Sequence, residues 1–128
     1  MSSRASRLVW FRFSAHGKQW RVVLVPRLVS DVDGAELFGV TTFRRGLIEI
    51  AAWQPWGDLC ETVLHEIMHA AGDTRGKLPE DTEAEERYIA RAEGPLWCIL
   101  AQCGFALPPF PRGFDAMRER AIAARGQG

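Results

Sequence analysis

The sequence predicts an α+β fold in which about four strands, in an antiparallel or mixed sheet, precede two packed helices. Three observations carry this expectation. Residues 8–51 hold runs of Val, Leu, Ile, Trp and Phe broken by turn residues. From Asp58 onward, apolar residues recur at helical spacing. Within that helical stretch, His65-Glu66-Ile67-Met68-His69 places an H-E-x-x-H segment on one face.

Residues 8–13 and 19–25 read as strands, and Ser14-Ala15-His16-Gly17-Lys18 between them reads as a hairpin loop that leaves His16 exposed. Pro26 ends the second strand because it has no N–H to give a sheet ladder. Residues 30–36, with Asp31, Asp33 and Gly34, read as a loop. Residues 38–43 and 46–51 form a second predicted hairpin. In its last strand Leu47, Glu49 and Ala51 alternate with Ile48 and Ile50, which predicts one buried face. Either 38–43 or 46–51 supplies the sheet edge, where an extended peptide could add by main-chain hydrogen bonds. Trp53 and Trp56 are candidates for the cleft wall or for a cap on the core.

Asp58 reads as the N-cap of the first helix, with Glu61 completing a capping box. Leu59, Val63, Leu64, Ile67 and Ala71 form its apolar stripe, and Gly72 stops it. His65 and His69 are one turn apart, so both imidazoles can reach one cation. Glu66 lies about 100° round the helix, placed to take a proton from a metal-bound water without ligating the metal.

The chain has 128 residues, is 47% hydrophobic and 25% charged, and carries no formal net charge. It is read as one domain over residues 1–128, with 1–7 and 125–128 expected to be disordered. Zero net charge gives no global field for nucleic acid or membrane. Residues 51–100 hold four Lys/Arg against ten Asp/Glu, a balance of −6, around the proposed cation site. Cys60, Cys98 and Cys103 are odd in number and make no C-x-x-C pair. They are read as small core residues of a chain in a reducing, cytoplasmic setting. Nothing approaches transmembrane length.

A catalytic zinc needs a third protein ligand and an open fourth position. Gly72 fits the metzincin pattern, but Arg75 stands where those proteins place histidine, and a guanidinium cannot ligate. The acidic run from Glu80 to Glu86 opens a second helix instead. Ile89, Ala92, Leu96, Ile99, Leu100 and Cys103 define its inward stripe, and helical projection puts Glu85 at the stripe's centre. Glu85 is the favoured third ligand; Glu86, Asp73 and Glu83 are the alternatives. Residues 104–111 are too rich in proline for a helix and are expected to wrap the surface, with Phe105, Leu107 and Phe110 as pins. Residues 115–124 read as a short terminal helix.

The stretch Thr62-Val63-Leu64-His65-Glu66-Ile67-Met68-His69-Ala70, with Glu85-Glu86-Arg87-Tyr88-Ile89-Ala90, resembles gluzincin-type metallopeptidases. It is most similar to short ImmA/IrrE-related, SprT-like and phage- or prophage-encoded metallopeptidase-like proteins. The resemblance covers roughly residues 36–103. It implies a minimal zincin-like domain, Zn2+ on His65, His69 and Glu85, Glu66 as the base, and a protein or peptide substrate. Tyr88 is the candidate oxyanion donor, with packing beside Ile89 as its alternative role. A second reading is a non-catalytic, zinc-stabilised interaction module. A third, nucleic-acid binding by the basic N-terminal half, is disfavoured because Arg4, Arg7, Arg12, Arg21 and Arg27 are scattered.

Overall fold

The structure, a computed structural model, describes residues 7–72 and 82–127. Among these residues six strands and three helices follow one another: β1 (Leu8–Ala15), β2 (Lys18–Val25), β3 (Leu28–Val29), β4 (Glu36–Leu37), β5 (Gly39–Thr42), β6 (Leu47–Ala51), α1 (Trp56–Ala71), α2 (Thr82–Gln102) and α3 (Phe114–Gln127). Four strands form one mixed sheet in the order β1-β2-β6-β5, and β3 and β4 make a separate two-stranded ribbon. The α+β expectation is met at that level. Among the described residues no helix is long and apolar enough to cross a membrane.

The first hairpin closes through His16 and Gly17, both with positive φ, at 54° and 76°. Two consecutive left-handed residues are what a tight two-residue turn between right-twisted strands requires. His16 Nε2 then donates to the Ala71 carbonyl at 2.7 Å, satisfying an acceptor at the C-terminal end of α1. The hairpin is therefore fastened to the helix that carries the histidines.

β2 and β6 run parallel through the centre of the sheet. The expectation of one buried face on β6 does not hold: Leu47, Ile48, Ile50 and Ala51 are all buried. Ile48 and Ile50 join Trp20, Val22, Leu24, Leu59 and Val63 in the main core under α1. Leu47 packs on the other face with Val23, Val25 and Leu28. A central strand covered on both sides loses its polar alternation.

Gly46 makes the entry to β6 possible. Its φ is +61°, and an added Cβ would lie 2.3 Å from the Gln19 carbonyl oxygen. Gly46→Ala must therefore move backbone and adopt an unfavourable φ, for a loss of roughly 2 kcal/mol or more. A lower denaturant midpoint at unchanged m-value is the expected readout, and an unshifted midpoint would refute it.

Three helical expectations need correction. First, α1 begins at Trp56 with Pro55 as N-cap and no side-chain cap, not at Asp58. The Pro55 carbonyl accepts from the Leu59 N–H at 2.9 Å, leaving Asp58 in the first turn, where a carboxylate suits the helix dipole. Second, the outer part of the α2 stripe is uncovered. Ile99 is 56% exposed, and Cys98 and Cys103 are exposed; only Cys60 is a buried cysteine. α2 packs chiefly on α1, and a helix against one neighbour buries a narrow strip. Third, α3 continues to Gln127 instead of fraying at Arg125. The Arg125 guanidinium lies 3.4 Å over the Trp53 ring and pairs with Glu36. Arg7, also expected to be disordered, pairs with Glu49 at 2.7 Å, and residues 1–6 and 128 lie outside the described residues.

Residues 105–111 form no helix, as expected. Trp10 Nε1 donates to the carbonyls of Pro108 and Pro109 at 3.0 and 3.1 Å. Phe110 stacks on Trp10 and on Phe114, while Phe105 is 64% exposed and pins nothing.

Candidate metal centre

α1 buries Leu59, Val63 and Ala70 against the sheet, which leaves His65, Glu66 and His69 along the border between core and cleft. The two imidazoles lie with ring centroids 5.0 Å apart. α2 runs antiparallel beside them and brings three carboxylates to their four nitrogens. Glu86 lies between the Nε2 atoms, with Oε1 3.1 Å from His65 and Oε2 2.9 Å from His69. On the far side of each ring, His65 Nδ1 is 2.6 Å from Glu93 Oε2 and His69 Nδ1 is 2.8 Å from Glu85 Oε1.

His65, His69 and Glu86 could hold a metal ion: their ligand atoms lie within 4.8 Å of one another. The donor chemistry fits a divalent ion of zinc type. When Nδ1–H donates to a carboxylate, the tautomer is fixed and the Nε2 lone pair is turned to the shared point; such outer carboxylates also raise the basicity of the ring. Without an ion, Nε2 and Nδ1 can both donate only as imidazolium. Burial opposes that charge on His65, but the hydrogen bond to Glu93 and the charges of Glu66, Glu93 and Glu86 outweigh it and hold its pKa above the usual value.

Glu66 is 7% exposed and accepts from the Thr41 hydroxyl at 2.6 Å. Burial raises its pKa, against the lowering effect of Thr41 and the two histidines. It lines a cleft of about 560 Å3 together with His65, Glu86, Thr62, Gly39 and Phe38. Glu36, Asp58, Glu61 and Glu93 add four more carboxylates to that lining. Glu36 is neutralised by Arg27 and Arg125, which hold its pKa below the usual carboxylate range, Arg125 most.

The structure thus gives the two candidate third ligands different places. Glu85 is the more buried, its side chain 16% exposed against 56% for Glu86, as its position on the stripe implies. Yet its carboxylate meets Nδ1 of His69, and Glu86 is the residue that completes the three-donor cluster. With Ile99 and Cys103 uncovered, the real contact strip is turned towards Glu86 and Glu93. Glu83 is exposed, and Asp73 lies outside the described residues. Tyr88 is 66% exposed and is not brought to the cleft lining. Trp53 and Trp56 do not line it either; Phe38 does. Glu93 was not anticipated, although its signal was present, since it sits seven residues after Glu86 on the same helix face. Thr41 carried no signal, because the pairing of β5 with α1 is tertiary.

Glu85→Ala and Glu93→Ala should each weaken zinc binding by about 10- to 100-fold without abolishing it, as removal of outer-shell carboxylates does. Competition with a chromophoric chelator measures this, and wild-type affinity in both variants would show the Nδ1 contacts to be incidental.

Comparison with family models, with curated proteins and with solved structures finds no match.

Proposed function

We propose that this chain is a zinc-dependent peptidase of the H-E-x-x-H type, with His65, His69 and Glu86 as ligands and Glu66 as general base. One observation carries the reading: both Nε2 atoms share the Glu86 carboxylate while each Nδ1 has its own, beside a buried glutamate. When bound there, zinc supplies Lewis acidity that brings a water's pKa towards neutrality and polarises a carbonyl. Glu66 takes the proton as the water oxygen bonds to the carbonyl carbon, then gives it to the leaving nitrogen as the C–N bond breaks. Burial raises the pKa of Glu66, which favours its acceptance of a proton.

Of the two candidate edges, β6 is interior and β5 is the outermost strand, paired on one side by β6. An extended substrate laid along β5 would pass the cluster with little demand on its sequence. Asp58 and Glu61, which have no ion-pair partner among the described residues, make the α1 wall negative. That charge favours segments containing lysine or arginine.

The test is to incubate protein carrying about one zinc per chain with a peptide library and read new termini by mass spectrometry. Cleavage should stop with chelator, return with zinc, and centre on sites flanked by Lys or Arg. Stoichiometric zinc with a large rise in melting temperature, but no cleavage, would instead favour a zinc-stabilised interaction module.

A further inference from the structure

Glu66 is gripped from the sheet side by a strand that provides no ligand. Thr41 Oγ1 donates to Glu66 Oε1 at 2.6 Å, the shortest protein contact to that carboxylate among those described. Two residues earlier on the same face of β5, Gly39 presses against the same side chain. A Cβ at position 39 would lie 3.0 Å from Glu66 Cγ, 3.2 Å from Oε2 and 2.8 Å from Thr62 Cγ2. β5 is itself tied to α1 by the fully buried Gln54. Its Nε2 donates to the Phe38 carbonyl at 3.0 Å, and its Oε1 accepts from the Thr62 hydroxyl at 2.8 Å.

A glutamate has three rotatable bonds and two equivalent oxygens, so burial alone does not decide which oxygen meets a reacting water. A hydroxyl on Oε1 and a bare backbone beside Oε2 do. We propose that Thr41 is a positioning residue for Glu66: its hydroxyl occupies Oε1 and leaves Oε2, on the Gly39 side, to take the proton from the attacking water. The catalytic consequence rests on the peptidase reading, whereas the grip on the carboxylate does not. Loss of the grip leaves the base present but unaligned, and preorganisation of this kind is where catalytic rate is lost without loss of binding.

Thr41→Val, Thr41→Ala and Thr41→Ser, each in the full chain titrated with zinc, test this. Three-bond couplings of the Glu66 side chain, identified by their disappearance in Glu66→Gln, report its rotamers by NMR. Wild type and Thr41→Ser should show one rotamer; Thr41→Val and Thr41→Ala should show averaging at unchanged zinc content. On a peptide substrate, kcat should fall about 10- to 100-fold in the valine and alanine variants with KM unchanged, and serine should restore it. A single wild-type rotamer in Thr41→Val and Thr41→Ala overturns the proposal. Failure of serine alongside them, with zinc retained, does so too, since the role would then be packing. If zinc-loaded wild type cleaves nothing, the peptidase reading falls and the couplings alone decide the grip.

Discussion

Glu66→Gln is expected to retain stoichiometric zinc and to lose between about 10² and 10⁴ of kcat, the range that positioned proton transfer contributes. The amide keeps the shape of the side chain, and its oxygen can still accept from Thr41. What disappears is the ability to take a proton. Zinc content measured beside peptide turnover separates this from loss of the site; loss of zinc in Glu66→Gln would make Glu66 a ligand and defeat the mechanism. A pH-dependent effect accompanies it in metal-free protein. Because the folded-state pKa of Glu66 is raised above its ordinary value of 4.5, the folded chain holds this proton more tightly than the unfolded chain. Stability from this group is therefore lost as pH rises through and above 4.5. Glu66→Gln removes that loss, so its melting temperature should overtake wild type towards neutral pH and match it in acid. The opposite crossing would show that Thr41 and the histidines outweigh burial.

The other large effect is on the metal itself. Zinc bound by a protein at neutral pH is worth about 10–16 kcal/mol in small folded sites, or roughly 3 kcal/mol for each of four positions. His65→Ala or His69→Ala should therefore cost about two orders of magnitude in affinity or more, and the double variant should hold no zinc after dialysis. Glu86→Ala belongs with this group, because its carboxylate is the one that both Nε2 atoms face. Glu85→Ala should be milder, since Glu85 acts on Nδ1 of His69. Side-by-side titrations decide the assignment. Stoichiometric zinc in the double histidine variant would remove the metal centre altogether, and greater damage from Glu85→Ala than from Glu86→Ala would reverse the two carboxylates.

How far the sequence spoke for itself depended on the range of the interaction. The β1–β2 hairpin, the β5–β6 pair and the histidine helix were legible because turn residues and apolar periodicity are local signals. The parallel pairing of β2 with β6 was not, as it joins strands separated by three other elements. The choice between Glu85 and Glu86 turned on which part of the α2 stripe is covered, and a projection weighs Ile99 equally with Ile89. The structure leaves the first exposed and the second buried. Arg125 misled for a similar reason: a polar, glycine-containing end reads as frayed until Trp53 and Glu36 are found beneath it.

The bond from Trp10 to Pro108 joins residues 98 positions apart. During synthesis at about 5–20 residues per second, β1 would thus be made several seconds before the segment that closes over its tryptophan. Until then one side of the nascent sheet would present Trp10 and Phe11 to the surrounding water. Contacts of such long range must also be reached against loop-closure entropy, which slows folding more than it lowers final stability. With the other four tryptophans replaced by phenylalanine, the emission of Trp10 would report when residues 108–110 close over β1.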